Sequence, residues 1–198
     1  MRTEDLWSGT FGAEYHVRNR VNWRERVPFW ESAMQFTEAA SVLEVGCGPG
    51  WNLQAIQAIA PNTELYGVEI NAGAAEEARQ SGFEVQNTNA LGILGLHEPG
   101  SIDLVFTAGM LIHVAPADLE SVMRAIVAVS GRYVLAIEYA AEQEEEVEYR
   151  GQKGALWKRP FGDLYQKLGL RLLSFGEAGG FDECIYWLLD KEQPGQAT

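Results

Sequence analysis

Residues 42–50 read Val42-Leu43-Glu44-Val45-Gly46-Cys47-Gly48-Pro49-Gly50, an apolar run that breaks into three glycines within five residues. A short apolar run bounded by turn residues has the pattern of a buried strand. Glycines behind it let the backbone turn sharply and pass close to a ligand, because no Cβ intervenes. The stretch 64–69 reads as a second strand and ends on Glu69, 19 residues after Gly50. A carboxylate at that place can hold both hydroxyls of a ribose.

Working outward, helical patterns cover 51–60, 72–80 and 116–129, with Pro116 in the first turn, where a missing N–H is harmless. Further strands are expected over 83–86, 102–107 and 133–139. A helix near 161–168 and two closing strands, 171–175 and 184–189, follow. Strand–helix alternation predicts a mostly parallel α/β sheet with helices on both faces. The closing strands are separated only by the turn-rich stretch 176–180, so a hairpin there places one antiparallel strand in the sheet.

The chain has 198 residues, 46% apolar and 11% aromatic, which fits one globular domain rather than a disordered acidic chain. Its net charge of −13 disfavours nucleic acid unless the few cations share one face. No stretch approaches the ~20 continuous apolar residues of a membrane span. The start, MRTEDLWSGT, has no leader-like pattern, and two distant cysteines, Cys47 and Cys184, suit a reducing compartment. A cytoplasmic protein without a metal site is therefore expected.

The first 38 residues are crowded with aromatic side chains. Trp7, Phe11 and Tyr15 lie at i, i+4 and i+8, one face of a helix. That stripe either packs on the core or forms a lid that closes over a ligand, and the two readings are compatible.

Two cofactors suit a glycine loop with a downstream acid. For a nicotinamide dinucleotide the fingerprint is G-x-G-x-x-G, whose third glycine permits close helix packing. Counted from Gly46, that position is Trp51, so an oxidoreductase is disfavoured. The observed spacing is G-x-G-x-G, with an acid two residues ahead.

Residues 42–50 resemble motif I of class I S-adenosylmethionine-dependent methyltransferases, and the likeness extends over about 40–140. The resemblance implies a Rossmann-like seven-stranded sheet whose last strand is antiparallel, with S-adenosylmethionine as cofactor; the N-terminal helical lid is the reading of the aromatic stripe. It implies that Glu44 and the loop Gly46, Cys47, Gly48 and Gly50 lie beside the amino acid part of the cofactor, with Glu69 on the ribose and Ile70 beside the adenine. Asn89-Ala90 stands where the family usually has an acid that holds the adenine amino group. Gly109 and Met110, followed by Leu111, Ile112 and His113, match a segment lining the methyl-transfer site.

A narrower resemblance joins Trp7-Ser8-Gly9, Phe11-Gly12, Glu14-Tyr15 and Arg18-Asn19 with Tyr149-Arg150-Gly151 and residues 158–162. These look like methylases associated with pseudaminic acid biosynthesis. That likeness implies an acceptor from nonulosonic acid or nucleotide-sugar metabolism, and it adds Tyr15 to the cofactor side.

Methyl transfer requires an aligned acceptor, exclusion of water and, for a hydroxyl acceptor, a base. His113 is the candidate base, or else a residue that only shapes the pocket. Alternation at the end of the fifth strand lets one of Glu138 and Tyr139 face the substrate. Glu142, Glu144, Glu145, Glu146 and Glu148 read as a solvated, mobile loop. Behind them Arg150, Lys153, Lys158 and Arg159 place four of fifteen cations within ten residues. They either receive an anionic small molecule or pair with the preceding glutamates. A second cluster is Arg18, Arg20, Arg24 and Arg26, with Arg18 the candidate for the cofactor carboxylate. No Asn-Pro-Pro-Tyr type segment follows the fourth strand and no Pro-Cys pair occurs, so methylation of nucleic acid bases is not expected. The reading is methyl transfer to a small anionic metabolite, with a non-catalytic cofactor-binding regulator as the alternative from another class.

Overall fold

A computed structural model describes residues 3–191. Two short helices open the chain, α1 (Thr3–Ser8) and α2 (Thr10–Arg18), and α3 (Val27–Thr37) follows a 3₁₀ turn over Trp23–Arg26. The alternating core runs β1 (Ser41–Val45), α4 (Trp51–Ile59), β2 (Glu64–Glu69), α5 (Ala72–Gln80), β3 (Glu84–Asn87), α6 (Ile93–Leu96), β4 (Ile102–Ala108), α7 (Pro116–Val129) and β5 (Ser130–Glu138). A hairpin of β6 (Glu145–Tyr149) and β7 (Gln152–Lys158) comes next. The chain then ends its described course with α8 (Phe161–Lys167), β8 (Arg171–Glu177) and β9 (Ile185–Asp190).

Seven strands form one sheet in the order β3-β2-β1-β4-β5-β9-β8. All pairs from β3 to β5 are parallel, whereas β9 runs antiparallel to both of its neighbours. The expected architecture is observed, including the closing hairpin. Burial on both faces explains why the central strands read as continuous apolar runs. Leu43, Val45, Val105, Val134 and Ala136 pack under α7 and α8 on one face, with Met123, Ile126, Phe161 and Tyr165. Their alternate neighbours Val42, Leu104, Phe106, Tyr133 and Leu135 pack against Trp30, Ala55 and Ile56 of α3 and α4 on the other. Period-two alternation thus decides the surroundings of every strand residue, including those at the strand ends.

The acidic run departs from expectation. Glu145 to Tyr149 form β6, paired antiparallel with β7 in the register Glu145↔Lys158 and Val147↔Leu156. Val147 and Tyr149 pack against the core while the intervening glutamates face outward. Residues 145–149 are therefore a half-buried strand, while Glu142 and Glu144 stay in the loop ahead of it. Among the described residues no helix is long and apolar enough to cross a membrane.

Candidate active site

In an open parallel sheet the ligand crevice lies beyond the strand carboxyl ends where strand order reverses, here between β1 and β4. A cavity of about 560 Å³ occupies that place, a volume usual for a small-molecule site. One side is the loop behind β1. Gly46 and Gly48 adopt φ of 78° and 53°, conformations that an L side chain resists. A Cβ on Gly46 would strike the Met110 side chain, and one on Gly48 would meet the His16 ring at 3.1 Å. The Gly46 and Cys47 amides both donate to Val68 O, which ties the loop to β2.

Glu69 is buried at the end of β2, where it accepts the Gly48 amide on one oxygen at 2.8 Å and the Asn71 amide on the other at 2.7 Å. Burial raises its pKa, and the amides of Asn71, Gly48 and Ile70 counter that shift. Glu44 is 1% exposed and receives Asn52 Nδ2–H on Oε1 at 2.6 Å, while its Oε2 has no partner. Desolvation pushes its carboxyl up to about 8, against the pull of Asn52 and Arg26. A buried carboxyl oxygen without a partner beside a cavity is left to pair with a group that the cavity receives.

Ile70, Asn89, Ala90, Gly109, Met110, Tyr15, Cys47 and Tyr139 all line this cavity, as do Glu44, Glu69, Gly46 and Gly48. Asn89 accepts the Gly92 amide and donates to Glu4 Oε1 at 3.0 Å, so it joins the lid to the cavity wall. The Cys47 thiol is buried and pushed well above its ordinary pKa by desolvation, which leaves it unreactive.

Several expected residues lie elsewhere, each for a physical reason. Gly50 caps α4 in a left-handed conformation, with Phe83 and Ala78 filling the space where a Cβ would project. Arg18 turns outward to pair with Glu14 one helical turn away at 2.8 Å. Its place is taken by Arg26, which lines the cavity and donates Nη1–H to Asn52 Oδ1 at 2.9 Å, completing a chain Arg26–Asn52–Glu44. The sequence held a signal for this choice: Asn52 falls on the α4 face that must meet the N-terminal segment.

The downstream cations also leave the cavity. Arg150 sits at the hairpin turn with φ of 50°, over the Tyr149 ring, and Lys153 is exposed on β7. Lys158 lies over the Tyr139 ring at 5.7 Å. Arg159 is 1% exposed and fully engaged, donating to Glu144 at 2.8 Å and to Leu111 O and Val114 O at 3.0 Å each. Its guanidinium pins the hairpin to the segment behind β4, so pairing with the glutamate run replaces anion binding at this residue.

Glu138 is likewise structural. It shares the parity of Val134 and Ala136, points under α8, and is 0% exposed. Its carboxylate accepts the amides of Met110, Leu111 and Ile112 at 3.0–3.3 Å. Strand alternation therefore leaves Tyr139 as the cavity residue. Burial raises the Glu138 carboxyl from 4.5 to about 7. Between those values the folded chain holds a proton that the unfolded chain releases, so stability is full below 4.5 and is lost as pH rises toward 7. In Glu138→Gln, which cannot titrate, the unfolding free energy relative to wild type, read by urea titration, should climb across that window by at most about 1.4 kcal/mol per pH unit. A constant difference from pH 5 to 7.5 would show that Glu138 is ionised throughout.

The segment anchored by Glu138 carries His113. Its Nδ1 lies 2.6 Å from Ala155 O on β7, and since a carbonyl can only accept, that nitrogen carries the proton. Nε2 is then the lone-pair nitrogen. Burial lowers the imidazole to about 4, so it is neutral at physiological pH. Around it stand rings that the sequence only partly disclosed. Trp7 packs at 4.0 Å between centroids, Tyr149 at 5.9 Å and Tyr15 at 6.4 Å. Trp7 also contacts Phe11 and Tyr15 edge-on, so the expected stripe exists, broken at Gly9 into two helices. No residue of α1 is fully buried, although the Trp7 indole nitrogen is shielded from solvent. Asn71 Nδ2 holds the break by donating to Trp7 O and Gly9 O, both at 3.2 Å.

Residues 42–131 match the model of a family described as methyltransferase domain. No curated protein matches the chain. Among solved structures, magnesium protoporphyrin IX methyltransferase from Synechocystis with bound S-adenosylmethionine superposes with a TM-score of 0.70 at 14% identity, covering 97% of this chain and 98% of that one. The 1,6-didemethyltoxoflavin-N1-methyltransferase of Burkholderia thailandensis, with its substrate and S-adenosylhomocysteine bound, gives 0.72 at 14% identity over 92% and 86%. Mitomycin 7-O-methyltransferase gives 0.72 at 18% identity over 97% of this chain and 61% of that one. The domain match is confined to residues 42–131, and the superpositions show the same fold over nearly the whole chain.

Proposed function

We propose that the protein transfers a methyl group from S-adenosylmethionine to a small molecule, with His113 as the base. The observation that carries this reading is the convergence, around one cavity, of a glycine loop, two buried carboxylates and a neutral histidine. The cofactor fits these residues. Glu69 has acceptor sites left for ribose hydroxyls, Ile70 and Ala90 offer an apolar flank for a base, and Glu44 Oε2 awaits a cation such as the amino acid ammonium. Arg26, beside Glu44, stands near enough to balance a carboxylate.

When bound, the cofactor supplies a methyl carbon already activated by a positive sulfur. The chain's own work is to place an acceptor and to take its proton. Nε2 of His113 receives the proton of an acceptor hydroxyl or amine, while Ala155 O fixes the tautomer through Nδ1. The lid helices and Tyr139 exclude water. Because the imidazole titrates near 4, its basic form is present throughout the physiological range, and no activity limb from His113 falls between pH 5 and 8.

The acceptor remains a small molecule in this reading. Arg150, Lys153, Lys158 and Arg159 do not line the cavity, so an anionic sugar acid of the kind implied by the narrower resemblance would have to meet Arg20, which lines it and is 71% exposed.

Calorimetric titration tests the reading. S-adenosylhomocysteine should bind saturably and NADH should not; the reverse result would establish a nicotinamide enzyme. Tritium transfer into a panel of amino sugars, nucleotide-sugars and flat heterocycles then separates an enzyme from a regulator. With an accepted substrate in hand, His113→Ala should lower kcat by about a hundredfold or more at unchanged cofactor affinity. An unchanged rate would leave His113 as a wall residue.

A further inference from the structure

Trp7 has a feature that the function above does not use. Its Nε1–H is buried and has no hydrogen-bond partner, although the indole lines the cavity. Native proteins rarely leave a buried donor unpaired, and the exceptions mark sites where a partner arrives later. The indole lies against the His113 ring at 4.0 Å and a tilt of 43°. His113 holds the protein through Nδ1, which leaves Nε2 as the lone-pair nitrogen. The unpartnered donor and this lone pair therefore belong to two neighbouring rings that both line the cavity. Asn71 donates to Trp7 O and Gly9 O, so the helix break is held through its backbone and not through the indole.

We propose that Trp7 Nε1–H donates a hydrogen bond to the methyl acceptor, so that the acceptor carries a hydrogen-bond-accepting oxygen or nitrogen adjacent to the hydroxyl or amine that His113 deprotonates. This rests on the methyltransferase reading and deepens it. The two contacts divide the work. Trp7 grips the neighbouring atom and fixes orientation, while Nε2 faces the nucleophile. In the transfer, the proton of the acceptor O–H or N–H goes to Nε2 and the freed electron pair forms the bond to the methyl carbon of S-adenosylmethionine. The carbon–sulfur bonding pair departs on sulfur, leaving S-adenosylhomocysteine. Tyr15, Tyr139 and Tyr149 wall the same space, which favours a flat acceptor. Before an acceptor arrives, the indole covers the base.

Three isomers of methoxyphenol serve as probes, since they share composition and ring and differ only in the distance from hydroxyl to ether oxygen. Binding to the protein loaded with S-adenosylhomocysteine is read by calorimetry. The 2-isomer should bind about five- to tenfold tighter than the 4-isomer, the increment of one hydrogen bond. Trp7→Phe, which keeps a ring and loses the N–H, should erase that preference at unchanged S-adenosylhomocysteine affinity. Trp7→His, which restores a ring N–H, should recover part of it, and this comparison decides the matter if Trp7→Phe disturbs the lid. Equal binding of the isomers, no binding of any, or a preference that survives Trp7→Phe overturns the proposal while S-adenosylhomocysteine still binds. Failure of wild type to bind S-adenosylhomocysteine overturns the methyltransferase reading instead, and this inference with it.

Discussion

Glu138→Ala should destabilise the protein by about 3 kcal/mol or more, because three buried amides lose their shared acceptor at about 1–3 kcal/mol each. The amides belong to Met110, Leu111 and Ile112, and none has a second carbonyl or carboxylate within reach. Urea titration measures the loss as a lower midpoint. The variant should also lose methyl transfer out of proportion to stability, because His113 rides on the same segment. Cofactor affinity should change much less, since Glu69 and the glycine loop hang from β1 and β2. A midpoint unchanged within error would mean that the segment holds itself without Glu138.

The second large effect is expected at Glu69. Glu69→Ala removes the acceptor of Gly48 N–H, which shapes the loop, together with the sites proposed for the ribose. Loss of charged hydrogen bonds, at about 1.5–3 kcal/mol, should weaken S-adenosylhomocysteine binding tenfold or more. Glu69→Gln keeps an acceptor for one amide and should fall between. If alanine leaves the affinity intact, the cofactor sits elsewhere in the cavity.

The alternation of β1 to β5 with helices was legible because each central strand is apolar on both faces and each helix shows its own period. The β6–β7 hairpin was hidden for the opposite reason. Only Val147 and Tyr149 face inward, and five glutamates drown a two-residue signal. Glu69 and the glycines could be placed by spacing alone, since a tight turn leaves them nowhere else to go. Long cationic side chains could not. Arg18 and Arg26 are equally plausible on paper, and the choice depends on Asn52 from α4 and on Glu14 one turn away. Arg159 was the least readable, for nothing local announces that a guanidinium will be buried against two carbonyls from a segment 45–48 residues earlier. Trp7 was visible as one member of a stripe, but its contact with His113 crosses more than a hundred residues of chain.

The lid has one last consequence, which concerns time. Its two helices place rings over the site, yet α1 buries no residue and α2 only Gly12. A cover so lightly rooted gains most of its hold from whatever lies beneath it. Under the proposed function its opening, rather than the strength of any single contact below, would set how long a product stays and how often the catalyst resets. Amide exchange followed across residues 3–18 would read that clock directly, running fast in the free protein and slowing when the site is filled.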